Sequence, residues 1–569
     1  MKAFFRNWRF LALLFVFIFS FSILIFRSYQ LQIAPESRVE QVAHGQFGRE
    51  LKIIPRRASI LDRNGRSLVM SVNTRSVFLD PYIIKNPSMV ASRLSSVLGV
   101  DSRKIKALIL KNKKRRFVWL KRQVSDEVEK KIQTLDLRGV GLIPEFRRHY
   151  VSGKLASTVL GFVSGDGRGL SGVESTYNEL LAGERNTVQI KRDARGRPLF
   201  ESVSSVSAYN GWKSLILTLD IDLQYSVEKF LGEAIELHKA KSGVAIVMDP
   251  ENGEILALAD LPNFNPNKVE LYPASNRRVK SISDPIEPGS VLKIFGVGEA
   301  LDRNLVSIES MIETPEKTVR VSGKTIRDAE VSHERTRWSV SDLVKFSSNV
   351  AMVKLGQKLG SRALEDVYNR VGFSDKTGID LPGESRGIFN KWPDSKKLEW
   401  ATMSFGQGIA LTPMQIVTAY AMLANGGHRV VPRVLKEVHE GDKIENFESQ
   451  RVSPRTSLWK RETLKEVKTL LHLVVQSDGT GKNAMTPEYQ AAGKTGTSQK
   501  VDLKNGGYKA DSYLSSFVGF APVESPRVVV YVMINEPSEK FYYGGTVAAP
   551  VFAKIARRAL RTASIRNAR

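Results

Sequence analysis

Apolar residues run almost unbroken from Phe10 to Phe26, then give way to short alternating and helical patterns along the rest of the chain. Lys2, Arg6 and Arg9 lead the run and Arg27 closes it. That length is close to the shortest that crosses a bilayer as a helix. No small-x-small cleavage site precedes the polar Gln30-Leu-Gln-Ile33, so the segment reads as a retained anchor rather than a signal peptide. Positive charge before the span outweighs Arg27 after it. This predicts a cytoplasmic tail over residues 1–9, a membrane anchor over 10–31 and the bulk of the chain outside the membrane.

Two textures follow the anchor. From about Gln32 to Asn210, short strands and helices mix. Arg56 to Gly65 reads as a strand ending in an Asn-Gly turn, and Ser67 to Val72 as its returning partner. Glu127 to Leu135 and Val173 to Leu181 read as helices, and the glycine-rich stretch 161–172 as a loop. From Leu215 the pattern sharpens into a strand to Leu219, an amphipathic helix from Asp222 to Leu237, and strands Gly243 to Met248 and Glu254 to Ala259. Val518 to Phe520 and Val528 to Ile534 are late strands, so strands at both ends with helices between predict one α+β domain whose sheet closes late. The tail from about Thr562 reads as disordered. No fixed-period repeat and no low-complexity linker interrupts the chain.

Composition changes the picture in three places. The hydrophobic share of 42% is that of ordinary globular material, so 569 residues can bury sizeable cores in two domains outside the membrane. The net charge of +26, densest at Lys111–Arg116 and in the acid-free stretch from Lys554 to Arg569, suits anionic lipid or an acidic wall polymer; no nucleic-acid motif accompanies it. The absence of cysteine is compatible with an envelope protein that needs no disulfide.

Chemistry is carried by three short words in one order: Ser290-Val-Leu-Lys293, Ser347-Ser348-Asn349 and Lys494-Thr495-Gly496-Thr497. Together they are the parts of a serine acyl-transfer site of the penicillin-recognising kind. Each alone is weak, and each recurs: Ser226 to Lys229 and Ser457 to Lys460 also read SxxK, Ser71 to Asn73 reads SxN, and Lys376-Thr377-Gly378 is a second KTG. Context separates them. Ser290 follows Glu287-Pro288-Gly289 and opens an apolar stretch, the setting of a buried helix start, where spacing i to i+3 puts Ser290 and Lys293 on one face and free amides favour negative charge. Lys229 and Lys460 lie in polar or amphipathic surroundings and read as surface. Lys494 leads toward strands and Gly496 lets backbone approach a substrate closely, whereas the Lys376 copy lies in a turn-rich stretch.

Rival chemistries lack their residues. A phosphate-binding loop ending at Gly493-Lys494-Thr495 needs a glycine where Glu488 stands. No HExxH pair occurs among the seven histidines, and there is no Gly-x-Ser-x-Gly elbow and no nicotinamide fingerprint. No metal or cofactor is expected.

Further phrases extend the match over nearly the whole chain: Asp62-Arg-Asn-Gly65, Gly172-Val-Glu174, Asp193-Ala-Arg-Gly-Arg197, Thr218-Leu-Asp-Ile-Asp-Leu-Gln224, Ser404-Phe-Gly-Gln-Gly408, Thr412-Pro-Met-Gln415 and Tyr543-Gly-Gly545. In this order the set resembles a class B penicillin-binding protein, a membrane-anchored peptidoglycan D,D-transpeptidase. Within that family it is most similar to the division-type, FtsI-like branch, since the second word ends in Asn349 and the chain carries no C-terminal repeat domains. Ala58 departs from the family, which usually has Gly before the Asp-Arg-Asn-Gly phrase.

The resemblance implies a single N-terminal transmembrane helix, an α+β pedestal domain over 32–210, and an α+β penicillin-binding transpeptidase domain over 211–561 with an antiparallel sheet flanked by helices. A basic tail, 562–569, follows. It implies that Ser290 attacks the D-Ala-D-Ala carbonyl of a stem peptide, with Lys293 as base, Ser347 as proton relay and Asn349 holding the substrate amide. Lys494 with Thr495 and Thr497 would grip the terminal carboxylate, and the amides of Ser290 and Thr497 would form the oxyanion hole. Expected partners are peptidoglycan stem peptides, the membrane, β-lactam inhibitors, and a glycan polymerase of the FtsW kind with other divisome proteins. An amine acceptor would complete the crosslink at the septum. Glu384 is the one suggestive acid for a deacylating water and lies in a turn, so lactam adducts should hydrolyse slowly. An elongation-type enzyme and a lactam-binding scaffold or sensor are the alternatives.

Overall fold

The apolar run folds as one helix, Lys2–Gln32. Its window Trp8–Gln30 is 23 residues long with a mean hydropathy of 2.5, and the side chains from Trp8 to Tyr29 are exposed. At about 1.5 Å per residue this length matches a hydrocarbon core, and a helix apolar on every side is suited to lipid rather than water. The computed structural model describes residues 2–32, 48–52, 56–182, 187–192, 198–199, 213–328, 335–391, 393–441, 443–447, 457–486, 488–502, 505–538 and 542–567. The Asp193–Arg197 phrase and the expected boundary at 210/211 lie outside them.

Two units divide the chain by compactness. The first comprises Met1–Arg56, Thr74–Phe146 and Gly183–Gly211. Helices Pro87–Leu98, Ser102–Lys111 and Asp126–Leu135 supply Val90, Leu94, Leu98, Ile105, Ile109 and Ile132 to a core that also holds Val77 and Leu79. Asn86 caps the first of these helices, its side chain accepting from Met89 N at 3.1 Å, with Pro87 at the first helical position and Gly99 in the left-handed conformation at the end.

The second unit comprises Arg57–Asn73, Arg147–Ala182 and Trp212–Arg569. Its framework is α1 (Ile221–Leu237), β1 (Ser242–Met248), β2 (Ile255–Leu261), α2 (Lys293–Asp302), α3 (Val340–Phe346), α4 (Asn349–Leu359), α5 (Pro413–Ala424), α6 (Arg461–Val475), β3 (Ala492–Val501), β4 (Tyr508–Ala521), β5 (Val528–Asn535) and α7 (Ala549–Asn567). The strands form one antiparallel sheet in the order β2-β1-β5-β4-β3, so β3 is an edge strand. Both faces are covered. Along β5, Val528, Val530, Val532 and Ile534 pack with α1 and α7, while Val529, Tyr531 and Met533 join the core that holds α2 and α5. A strand buried on both sides reads as a continuous apolar run, as Val528 to Ile534 does.

Several family-like phrases are structural. Thr412 and Gln415 form a reciprocal capping box on the wholly buried α5. Asp62 accepts from the amides of Asn64 and Arg66 at 2.8 and 2.9 Å around the turn at Gly65. The buried Glu174 receives Arg57 Nη2 and Arg148 Nε, each at 2.6 Å. Ala58 has no positive φ, so its backbone does not require a glycine.

Two expectations need correction. The helix expected over Val173 to Leu181 is two short ones, Gly172–Thr176 and Asn178–Ala182, broken at Tyr177, whose hydroxyl donates to Asp380 at 2.6 Å. The C-terminal helix continues to Asn567 rather than fraying from Thr562. Val551, Phe552, Ile555, Ala556 and Ala559 hold its first turns against the sheet, and the alanines and arginines that follow are good helix formers.

Candidate active site

Pro288-Gly289 turns the chain sharply into α2. Gly289 has φ +61° and donates its amide to Gly406 O at 3.0 Å, and a Cβ on Gly406 would lie 2.0 Å from Gly289 O. Gly406 in the Ser404–Gly408 phrase is therefore glycine because two backbones press together behind the nucleophile turn. Ser290 lies in one 3-10 turn, Gly289–Leu292, ahead of the α-helix expected to begin at it. Tyr420 of α5 donates to Val291 O at 2.8 Å, and Ser498 of β3 donates to Glu287 O at 2.8 Å, fixing the turn from two sides.

One turn on, Lys293 is fully buried. Its ammonium donates to Ser347 O at 2.5 Å, Asn349 Oδ1 at 2.7 Å and Ser347 Oγ at 3.2 Å. Burial pushes its pKa down to about 7, with the charge of Asp328 opposing the fall. Lys494 is also fully buried and donates to Ser347 Oγ at 2.9 Å. Burial, then the proximity of Lys293, hold it well below the usual lysine range.

Ser347 meets both amines because it ends α3 in the left-handed conformation, φ +64°. A serine is strained there. The middle residue of the word acts differently. Ser348 caps α4 by accepting from Ala351 N at 3.1 Å, and it donates to Asp328 at 2.9 Å. Asp328 also accepts from the amides of Asn349 and Val350 at 2.5 and 3.0 Å, a carboxylate at a helix start.

The third word lies on edge strand β3. Gly496 is tightly packed, since a Cβ there would lie 2.3 Å from Ser516 Oγ and 3.1 Å from Pro288 O. The Thr497 carbonyl faces the nucleophile turn, 3.1 Å from where a Cβ on Gly289 would lie. In an antiparallel ladder the N–H and C=O of one residue point to the same side, so the Thr497 amide faces that turn as well. Gly544 N donates to Thr497 Oγ1 at 3.1 Å, which leaves the hydroxyl proton of Thr497 available. Ser290, Ser347, Asn349, Thr495, Thr497 and Tyr543–Gly545 line one cavity of about 390 Å³.

The other copies of the words do something else. Ser226 donates to Asp222 O within α1; Ser457 donates to Gly426 O and Trp459 O; Ser71 donates to Arg57 O. Thr377 and Gly378 bind Glu384, so that acid is occupied away from the cleft. Sequence reasoning missed Asp328, which has no local signal because it acts on a helix starting 21 residues later. It also missed Thr480, in an Asp478-Gly-Thr-Gly481 turn that a sharper reading of turn residues would flag. Among the described residues no cluster of metal-ligating side chains occurs.

Comparison with known proteins agrees with this geometry. Residues 243–557 match the penicillin-binding protein transpeptidase domain and residues 52–213 the penicillin-binding protein dimerisation domain. The chain is 33% identical over 540 residues to the probable peptidoglycan D,D-transpeptidase PenA of Neisseria gonorrhoeae, covering 94% of this chain and 89% of that one. It is 32% identical to the peptidoglycan D,D-transpeptidase FtsI of Escherichia coli, covering 99% and 93%. The crystal structure of penicillin-binding protein 3 from Mycobacterium tuberculosis complexed with aztreonam superposes with a TM-score of 0.68 at 26% identity, covering 90% and 97%. The chain belongs to the penicillin-binding protein transpeptidase family.

Proposed function

We propose that this chain is a membrane-anchored peptidoglycan D,D-transpeptidase in which Ser290 forms the acyl-enzyme. The observation that carries the reading is the pair of fully buried lysines meeting at Ser347 Oγ, in a residue that lines the same cavity as Ser290. A lysine with a pKa of about 7 is substantially neutral at working pH and can take the Ser290 proton. The serine oxygen bonds to the penultimate D-Ala carbonyl carbon, and the amides of Ser290 and Thr497 receive the oxyanion. The carbon–nitrogen bond then breaks as Ser347 passes the proton to the departing D-Ala amine. Lys494, Thr495 and Thr497 hold the terminal carboxylate, and Asn349 the substrate amide. Gly496 makes room for the close approach. An acceptor amine then attacks the ester, forms the crosslink and returns the proton to the serine.

Water is a poor acceptor here. The two carboxylates that line the cleft among the described residues are both engaged, Asp328 by Ser348 and two amides and Asp478 by Lys345 at 2.6 Å. Penicillin adducts should therefore persist. Full-length similarity to FtsI supports a role in septal wall synthesis, and the dimerisation and transpeptidase matches support residues 32–210 as the non-catalytic module and 211–561 as the catalytic domain. The charge asymmetry around the span supports an N-in orientation with the site in the periplasm, where a glycan polymerase of the FtsW kind and divisome proteins would be partners. Gel-resolved labelling with a fluorescent penicillin tests the nucleophile: stable label lost in Ser290→Ala is expected, and no label on folded wild type would turn the reading toward a scaffold.

A further inference from the structure

One wall of the cleft belongs to none of the three words. It is the turn 478–483, and Thr480 within it touches the third word and the helix that leads into the second. The Thr480 amide lies 3.4 Å from Lys345 O and its hydroxyl 3.2 Å from the same oxygen, in the helix that ends at Ser347. The same hydroxyl lies 3.1 Å from Thr495 Oγ1 on β3. The turn is itself pinned: Asn483 donates to Gly545 O at 2.9 Å, and a Cβ on Gly545 would lie 2.0 Å from Thr480 O.

The protons available to these groups constrain their order. Lys345 O only accepts, and Lys494 Nζ, 3.4 Å from Thr495 Oγ1, can only donate while it carries its charge. While Thr480 donates to Lys345 O, its bond with Thr495 requires Thr495 as the donor, and the Thr495 proton is turned away from the cleft. If Thr480 donates to Thr495 instead, the Lys345 carbonyl keeps the Thr480 amide, and Thr495 can donate to an anion in the cleft. A bound carboxylate selects the second order without displacing a heavy atom. We propose that Thr480 is a positioning residue for substrate binding: its hydroxyl orients Thr495 toward the terminal carboxylate of the donor peptide and ties that event to the helix bearing Ser347. The inference rests on the assignment of Ser290 as nucleophile and Thr495 as part of the carboxylate grip.

Thr480→Val removes the hydroxyl while keeping shape and backbone, and Thr480→Ser restores it. Acylation of the full-length protein in detergent is followed with a penicillin and with a thioester substrate, the latter also as its C-terminal carboxamide. Thr480→Val should lower the second-order rate by about three- to tenfold, chiefly through a higher half-saturating concentration, as expected for one lost hydrogen bond. Thr480→Ser should recover it, and the carboxamide substrate should show no difference between variant and wild type. Thr480→Val combined with Thr495→Val should be no slower than Thr495→Val alone. Thr480→Ala replaces the valine variant if thermal unfolding shows the latter misfolded. Wild-type rates in the hydroxyl-free variants, an equal loss on the carboxamide, or failure of serine to rescue would overturn the proposal. A wild type with no Ser290-dependent label would remove the nucleophile assignment and this inference with it.

Discussion

Among the described residues of the larger unit, two groups of basic side chains are buried, and only one has a carboxylate in contact. Arg57 and Arg148 converge on Glu174, with further bonds from Arg57 to Gly167 O at 2.6 Å and from Arg148 to Ala58 O at 2.7 Å. Lys293 and Lys494 converge on a serine hydroxyl, and Asp328 acts on Lys293 only at a distance. The difference follows from the side chains. A guanidinium cannot shed its proton in a protein, so burial demands a counter-charge; an amine can, and burial without a partner lowers its pKa until it serves as a base. The first group holds the fold and the second is poised for chemistry.

Removing the base is the most severe way to break the contrast. Lys293→Met should slow acylation of a penicillin by about 10²- to 10⁴-fold, the range of a lost general base, measured by stopped-flow labelling. Stability should move the other way. The cost of burying this ammonium is fully present below pH about 7 and fades as pH rises toward 10.5. The variant's gain in thermal midpoint over wild type should therefore shrink across that interval; a gain constant with pH would contradict a depressed lysine. Next in size, Glu174→Gln leaves two buried guanidiniums short of a negative charge and should cost about 3–5 kcal/mol in denaturant unfolding. Its acylation rate per folded molecule should stay near wild type.

A smaller change sharpens the comparison by giving the lysines what the arginines have. Below pH about 7, wild-type acylation should fall as Lys293 gains its proton. In Asn349→Asp a carboxylate replaces the Oδ1 that Lys293 reaches at 2.7 Å, which stabilises the ammonium and should move that acidic limb to higher pH. An unmoved limb would show that the titrating group is not Lys293.

Legibility in the sequence followed the range of each interaction. Ser290 and Lys293 were readable because a glycine turn and an i, i+3 spacing are local, and β5 because four apolar residues alternate with three others on opposite faces of one strand. The break at Tyr177 was not, and the hydroxyl of that residue is held by Asp380, 203 residues away. Asp328 and Thr480 were hidden for the same reason: each acts through residues brought near only by the fold. The Ser-Ser-Asn word was half readable. Its residue types pointed to the site, but that the middle serine caps a helix while its neighbours face the amines depends on the left-handed turn at Ser347.

The two KTG words allow the finest test, since identical residues at equal burial carry different loads. Thr377 and Thr495 are each 7% exposed. In the loop, Thr377 N and Oγ1 donate to Glu384 at 2.6 and 2.5 Å and Gly378 N donates at 3.2 Å, so this copy already binds a carboxylate supplied by its own chain. On β3, Thr495 lines a cleft from which a substrate carboxylate can be received. Thr377→Val should therefore cost about 1.5–3 kcal/mol, the usual worth of a hydrogen bond to a charged group, with acylation unchanged. Thr495→Val should do the reverse, weakening capture of carboxylate-bearing substrates while leaving the denaturant midpoint nearly where it was. If both variants lost stability alike and neither lost rate, the word on β3 would be a second structural clasp.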